Sequence, residues 1–245
     1  MRAAIAYIQT RTDTFRRALF FEHLRDRRIP VRERLAFAPA AAPFVMAFAD
    51  LNNIVLRSLG AADPLDALLD EHAQEDGTHY HLYLEDLATL GYDTKIRFTD
   101  ALDFLWADEH RAVRKTCYVL TALLAASTAR LRLVVVEAIE ATGSVAFEAF
   151  RELSDELLMT EGVELSYFGR RHQALETGHL MVSPEVQGEL LGIALSDEEM
   201  TEARRLVDVV FDCFEEMMSE VFSYSTAHEP SARAFPPEGA TAPPE

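Results

Sequence analysis

The sequence predicts an all-α protein: a single-domain helical bundle of about seven helices over residues 1–227, followed by a disordered Pro-rich tail at 228–245. Three observations carry the helical class. Apolar residues recur at three and four along most of the chain, which is the period of an amphipathic helix. Capping residues and glycine or proline stops punctuate those runs. No stretch alternates with hairpin punctuation, and the most strand-like one, "VVVEAI" at 134–139, lies inside a longer helical pattern.

Each helix follows from its own signals. "TRTDTFRRALFFEHLRDRRI" at 10–29 opens on Thr and Asp capping candidates and closes on a basic turn before Pro30. "APFVMAFADLNNIVLRSLG" at 42–60 ends on Gly60. Residues 63–91 read as one helix of roughly seven turns, with Asp63 as N-cap, Pro64 at the first position and Gly91 as terminator. The run at 99–127 is helical with an interruption near Ala107–Asp108, and 128–158 is a strongly apolar helix holding Glu137 and Glu140. A further helix is expected within 162–182. The last, at 196–225, opens with the capping box Ser196-x-x-Glu199. Residues 228–245 carry too few large apolar side chains to offset the entropy of ordering.

Composition narrows the function. With 41 acidic against 23 basic residues, the net charge of −18 repels phosphate backbones, so neither nucleic acid nor an anionic membrane is an expected partner. No uninterrupted apolar run reaches the roughly 18 residues of a membrane span, and the N-terminus lacks a secretory h-region. A cytoplasmic protein is expected. Two cysteines, Cys117 and Cys213, are too few for a disulfide framework and read as buried thiols. The apolar patch around Trp106 is expected in the core, as such patches beside core helices usually are.

The chemistry lies in a repeated motif. "HAQEDGTH" at 72–79 and "HQALETGH" at 172–179 both spell H-x3-[DE]-x2-H. On one helix, positions i, i+4 and i+7 fall within an arc of about 60°. His72, Asp76 and His79 then share one stripe, as do His172, Glu176 and His179, and two such helices face six ligand-type groups toward one centre. Between them, Glu137 and Glu140 sit among Val134, Val135, Val136 and Ile139, where a carboxylate needs a partner. Imidazoles and carboxylates at these spacings on facing helices are the way bundles hold two iron or manganese ions. Gly77, Gly143 and Gly178 interrupt presumed helices within three residues of a candidate ligand, by a kink, close passage of substrate, or tight packing.

An all-α chain of this size whose late helix reads "YFGRRHQALETGH" resembles the heme-oxygenase-like di-iron oxidases and oxygenases, over roughly 45–225. The resemblance implies His79 as the early-helix His, Glu140 as the middle carboxylate, and His172, Glu176 and His179 as the late set. It also makes Glu137 a bridging or supporting group beside Glu140, these two being the expected catalytic carboxylates. The departure is His72: relatives commonly carry Glu seven residues before the early His, and here Asp76 or Glu75 is the substitute. The implied cofactor is Fe, one or two ions, with Mn as the alternative metal. The implied activity is O2-dependent oxidation of a small-molecule substrate in the bundle core, with a homodimer left open as the assembly. Tyr80, His81, Tyr83, Glu75 and Tyr167 are candidates for the surroundings of the metal. The same fold hosts thiaminase II-like hydrolases, which need a pocket Cys, and haem oxygenases, for which His23 is the sole early axial candidate. A non-catalytic metal-binding protein and an all-α interaction module complete the alternatives.

Overall fold

The structure, a computed structural model, describes residues 1–57, 63–176 and 184–228, with the side chains of 176 and 184–187 excepted. Among the described residues every regular element is helical. In chain order these are α1 (Arg2–Phe15), α2 (Leu19–Arg25), α3 (Val31–Arg34), α4 (Ala42–Asp50), α5 (Pro64–Asp76), α6 (Tyr80–Thr89), α7 (Phe98–Trp106), α8 (Arg111–Ala126), α9 (Ala129–Glu161), α10 (Arg170–Glu176), α11 (Pro184–Gly192) and α12 (Asp197–Ala227). Short 3-10 turns precede α4 and α8, and α4 continues into a π-helical turn, Leu51–Leu56.

α9 is the axis of the bundle. Its 33 residues extend about 50 Å at 1.5 Å per residue. Apolar residues surround it because it packs against α12, α1, α2, α5, α8 and α10. That crowding explains why Val134, Val135 and Val136 stand side by side: three consecutive residues on different faces of the helix are all buried. α12 covers α9, α8 and α1. Its N-terminus carries the expected capping box, with Ser196 Oγ accepting from Glu199 N and Glu199 Oε2 accepting from Ser196 N.

Buried charge pins the N-terminal helices in place. Arg34 is 1% exposed, donates to the carbonyls of Ile29 and Leu24 at 2.9 Å, and pairs with Glu156 on α9. Removing one partner of such a pair strands the other in low dielectric, so α3 is held in one register on α9. Arg11 on α1 reaches Asp208, Asp212 and Glu215 of α12. Phe37 stacks on Phe150 at 5.1 Å and meets Phe168 edge-on at 5.5 Å, joining α9 to the segment before α10.

Several elements differ from the sequence expectation. The 10–29 run is two helices, with α1 beginning at Arg2 and the chain turning at Ala18, whose ψ of 142° leaves the helical region. The 63–91 run is also two, although its ends fall as expected: Asp63 accepts from Leu65 N, Pro64 is the first helical residue, and Gly91 adopts a φ of 90°. The interruption near Ala107–Asp108 is present, between α7 and its 3-10 turn. Trp106 is exposed, as are Phe98 and Leu102, because no residue of α7 is buried. Val31–Leu56 is long and apolar enough to cross a bilayer, with a mean hydropathy of 1.4, yet 56% of that window is buried inside the bundle, as a core helix would be.

Candidate metal centre

The centre is built from the ends of helices brought onto α9. α5 presents His72 and Asp76, one turn apart and both buried, because Leu69 and Ala73 on the same face fill the core. The chain then leaves the helix. Gly77 to His79 form a turn, closed by His79 N donating to Asp76 O at 3.1 Å, and α6 starts afresh at Tyr80. His79 therefore does not continue the α5 stripe, which corrects the one-helix geometry. The turn nevertheless returns its ring to Asp76, with Nδ1 3.7 Å from Asp76 Oδ1.

The π-helical turn at Leu51–Leu56 sets this break. Asn53 donates from Nδ2 to Gly77 O at 2.6 Å, and a Cβ on residue 77 would lie 2.3 Å from Asn53 Oδ1. Glycine at 77 thus lets a polar side chain cap the last turn of α5 where α5 meets the site. Gly143 differs: among the described residues a Cβ there would come within 4 Å of Phe147 alone, at 3.9 Å, and the residue lines the cavity. Gly178 lies outside the described residues.

Two groups of donor atoms result. His72 Nε2 stands 3.3 Å from Asp76 Oδ2 and 3.3 Å from Glu140 Oε1, and ligand atoms of these three residues lie within 4.8 Å of one another. His79 Nδ1 stands 3.0 Å from His172 Nε2. Two nitrogens each bonded to one ion at about 2.1 Å, at right angles, lie about 3.0 Å apart, so both spacings suit a shared metal. Asp76 faces both groups, one oxygen toward each histidine of its own motif. Such a cluster is costly to bury without a cation. The donors fit iron or manganese, being imidazole and carboxylate with no thiolate among them.

His172 is fixed from both sides. Tyr167 stacks on its ring at 4.6 Å and 20°, and Phe147 meets it edge-on at 4.2 Å. Behind it, Asp86 on α6 accepts from Ser166 N at 2.6 Å and Phe168 N at 2.9 Å. Burial pushes the Asp86 carboxyl above its ordinary value, against the lowering by the amides of Phe168, Ser166 and Tyr167. The helix that follows His79 is thereby tied to the segment that precedes His172. The signal for Asp86 was an acidic residue on the apolar stripe with Leu82 and Tyr83; Asn53 had no comparable signal.

The remaining candidates divide by place. Glu140 joins the His72 group, and Glu137, one turn earlier on α9, lines the same cavity. The Glu176 side chain and His179 lie outside the described residues. Tyr80 and Tyr167 line the cavity, whereas Tyr83 is buried with its hydroxyl donating to Ala38 O at 2.6 Å. Glu75 is half-buried at the cluster's edge, and His81 is exposed. No cysteine is among the described lining residues; burial pushes the Cys117 thiol up to about 12 and raises that of Cys213. His23 is likewise away from that lining, half-buried against Phe222. No protein-family model matches the chain, and no curated protein matches it.

Proposed function

We propose that the chain is a non-haem iron enzyme, holding one or two ions, that uses O2 to oxidise a small organic molecule in its core on a heme-oxygenase-like bundle. The observation that carries this reading is the convergence of Asp76, Glu140, His79 and His172 on the wall of an apolar cavity, with His72 against Asp76 and Glu140 behind it. Manganese is the alternative metal.

Reduced iron in such a donor set supplies O2 activation and removal of hydrogen from a bound substrate. The chain's own residues do the rest. Asp76 faces both donor groups, one oxygen toward His72 and the other toward His79. Tyr167 and Phe147 hold the His172 ring so that Nε2 faces His79. The aromatic wall excludes water from the reacting end. Glu137, one turn from Glu140 on the cavity wall, supports the metal-binding carboxylate from the same helix.

Metal analysis of protein purified without chelators tests the reading. Iron or manganese at about one to two equivalents per chain is expected, as bundle sites of this donor type hold. Zinc alone, or no metal after anaerobic reconstitution, overturns it. Iron retained without oxygen consumption on any organic substrate would make the chain a metal-binding protein rather than an enzyme.

A further inference from the structure

α7 turns an apolar stripe outward. Phe98, Leu102 and Trp106 stand at i, i+4 and i+8, within an arc of about 80° and over about 12 Å of the helix. They are 77%, 39% and 63% exposed, so an aromatic ring faces solvent at each end of the stripe, with Leu102 between them. The helix that carries the stripe is fixed to the bundle. On its other side Phe104 meets His110 edge-on at 4.6 Å and Tyr224 of α12 at 6.1 Å. Arg114 of α8 donates to the carbonyls of Leu105 and Ala107 at 2.8 Å and so satisfies the end of α7. Exposed aromatic side chains on a fixed element are the kind that anchor contacts between proteins.

Charge selects the occupant. Lys95 and Arg97 lie just before or at the start of α7, Asp108 and Glu109 just after it, and all four are exposed. Asp108 and Glu109 stand at the negative end of their own helix dipole, which disfavours them there and would favour them at the N-terminus of another helix. Within the chain Arg97 pairs with Asp100, Asp108 with Arg111, and Glu109 with His228. Surface pairs of this kind are worth about 0–1 kcal/mol each, so they yield readily to a better arrangement. A surface basic at one end and acidic at the other is complementary to its own copy turned end for end.

We propose that α7 is a self-association surface, on which a second copy of this chain packs antiparallel about a two-fold axis at Leu102. Phe98 of each copy then meets Trp106 of the other, and Lys95 and Arg97 of each meet Asp108 and Glu109 of the other, as a two-fold contact requires. One helix a side is small beside the roughly 800 Å2 per partner of a stable complex, so the dimer is a micromolar one, with Kd about 1–100 μM. The surface is separate from the metal centre, and its assembly needs no metal.

The test is sedimentation velocity of the full chain from about 1 to 200 μM, at about 0.15 M salt so that charges more than about 8 Å apart are screened. The mass should rise from one chain toward two, and the emission of Trp106, the sole tryptophan, should shift to the blue over the same range. Leu102→Asp should raise Kd at least about tenfold at unchanged helicity. Arg97→Glu should raise it at least about threefold, and adding Asp108→Arg to Arg97→Glu should restore it, because only the antiparallel contact sets these two positions against each other. A chain monomeric at the highest concentration, a dimer indifferent to Leu102→Asp, or a double charge variant no tighter than Arg97→Glu overturns the proposal. A monomer whose Trp106 is shielded from acrylamide would give the stripe to another segment of the same chain, and likewise overturns it.

Discussion

His172 Nε2 lies 3.0 Å from His79 Nδ1, so the last histidine of the first H-x3-D-x2-H copy meets the first histidine of the second. The two copies come together end to end. Asp76 completes the arrangement by turning its other oxygen to His72, which in turn meets Glu140.

Asp76 should therefore matter to both donor groups, unlike any single histidine. Asp76→Asn is expected to weaken binding of every iron equivalent by at least about 100-fold, beyond the 10–100-fold typical of a supporting residue. His72→Ala and His172→Ala should each lower one equivalent selectively. Anaerobic Fe(II) titration of the three variants distinguishes these patterns, and a single-site loss in Asp76→Asn would contradict a shared role.

The two α9 carboxylates should separate. Glu140 stands at His72, whereas Glu137 lines the cavity one turn away. Glu140→Gln keeps the shape, removes the charge and is expected to abolish oxygen-dependent turnover together with the more weakly held metal. Glu137→Gln should lower metal affinity by about 10–100-fold while retaining turnover at saturating iron. Oxygen-consumption traces at matched metal occupancy measure both, and the reverse outcome would transfer the ligand role to Glu137.

The Asn53–Gly77 contact should behave as one unit. Gly77→Ala displaces the Asn53 amide and breaks its bond to Gly77 O, at a cost of about 1 kcal/mol, or a fall of roughly 2–4 °C in Tm for a chain of this length. Asn53→Ala loses the same bond. The double variant should be no less stable than either single one, so a thermal-melt double-mutant cycle should show coupling close to the whole single effect. Additive losses would mean that the two residues act separately.

Acid sensitivity should trace in part to His110. It is fully buried, its ring nitrogens have no hydrogen-bond partner among the described residues, and it packs against Phe104 and Tyr224. Burial holds its pKa below 6.5, outweighing the pull of Glu109 and Glu220. A depressed folded-state pKa contributes stability that is present above 6.5 and is lost as pH falls through the folded value, by at most about 1.4 kcal/mol per pH unit. Urea melts from pH 7.5 down to 5 should fall less steeply for His110→Phe than for the parent chain. Parallel slopes would assign the acid sensitivity elsewhere.

Local information was enough for much of this protein. The all-helical class, the Asp63 cap, the Pro64 start, the Gly91 stop and the Ser196 capping box depend on residues within one or two turns of each other, so they are readable from the sequence. The candidate donors also stand out in the sequence by type and spacing, because the same His-acid-His pattern is spelled twice. Where those donors point was not. Periodicity alone carried 63–91 through as one helix, because Gly77 costs a helix only about 1 kcal/mol and the break depends on Asn53, twenty-four residues away. Trp106 illustrates the same limit, since Phe98 and Leu102 on the same helix are exposed with it. The meeting of His79 with His172 and the link from Asp86 to the segment before α10 depend on contacts between residues eighty or more positions apart. Helix period and capping are properties of neighbours along the chain, whereas a metal centre and its cavity are properties of how the helices pack.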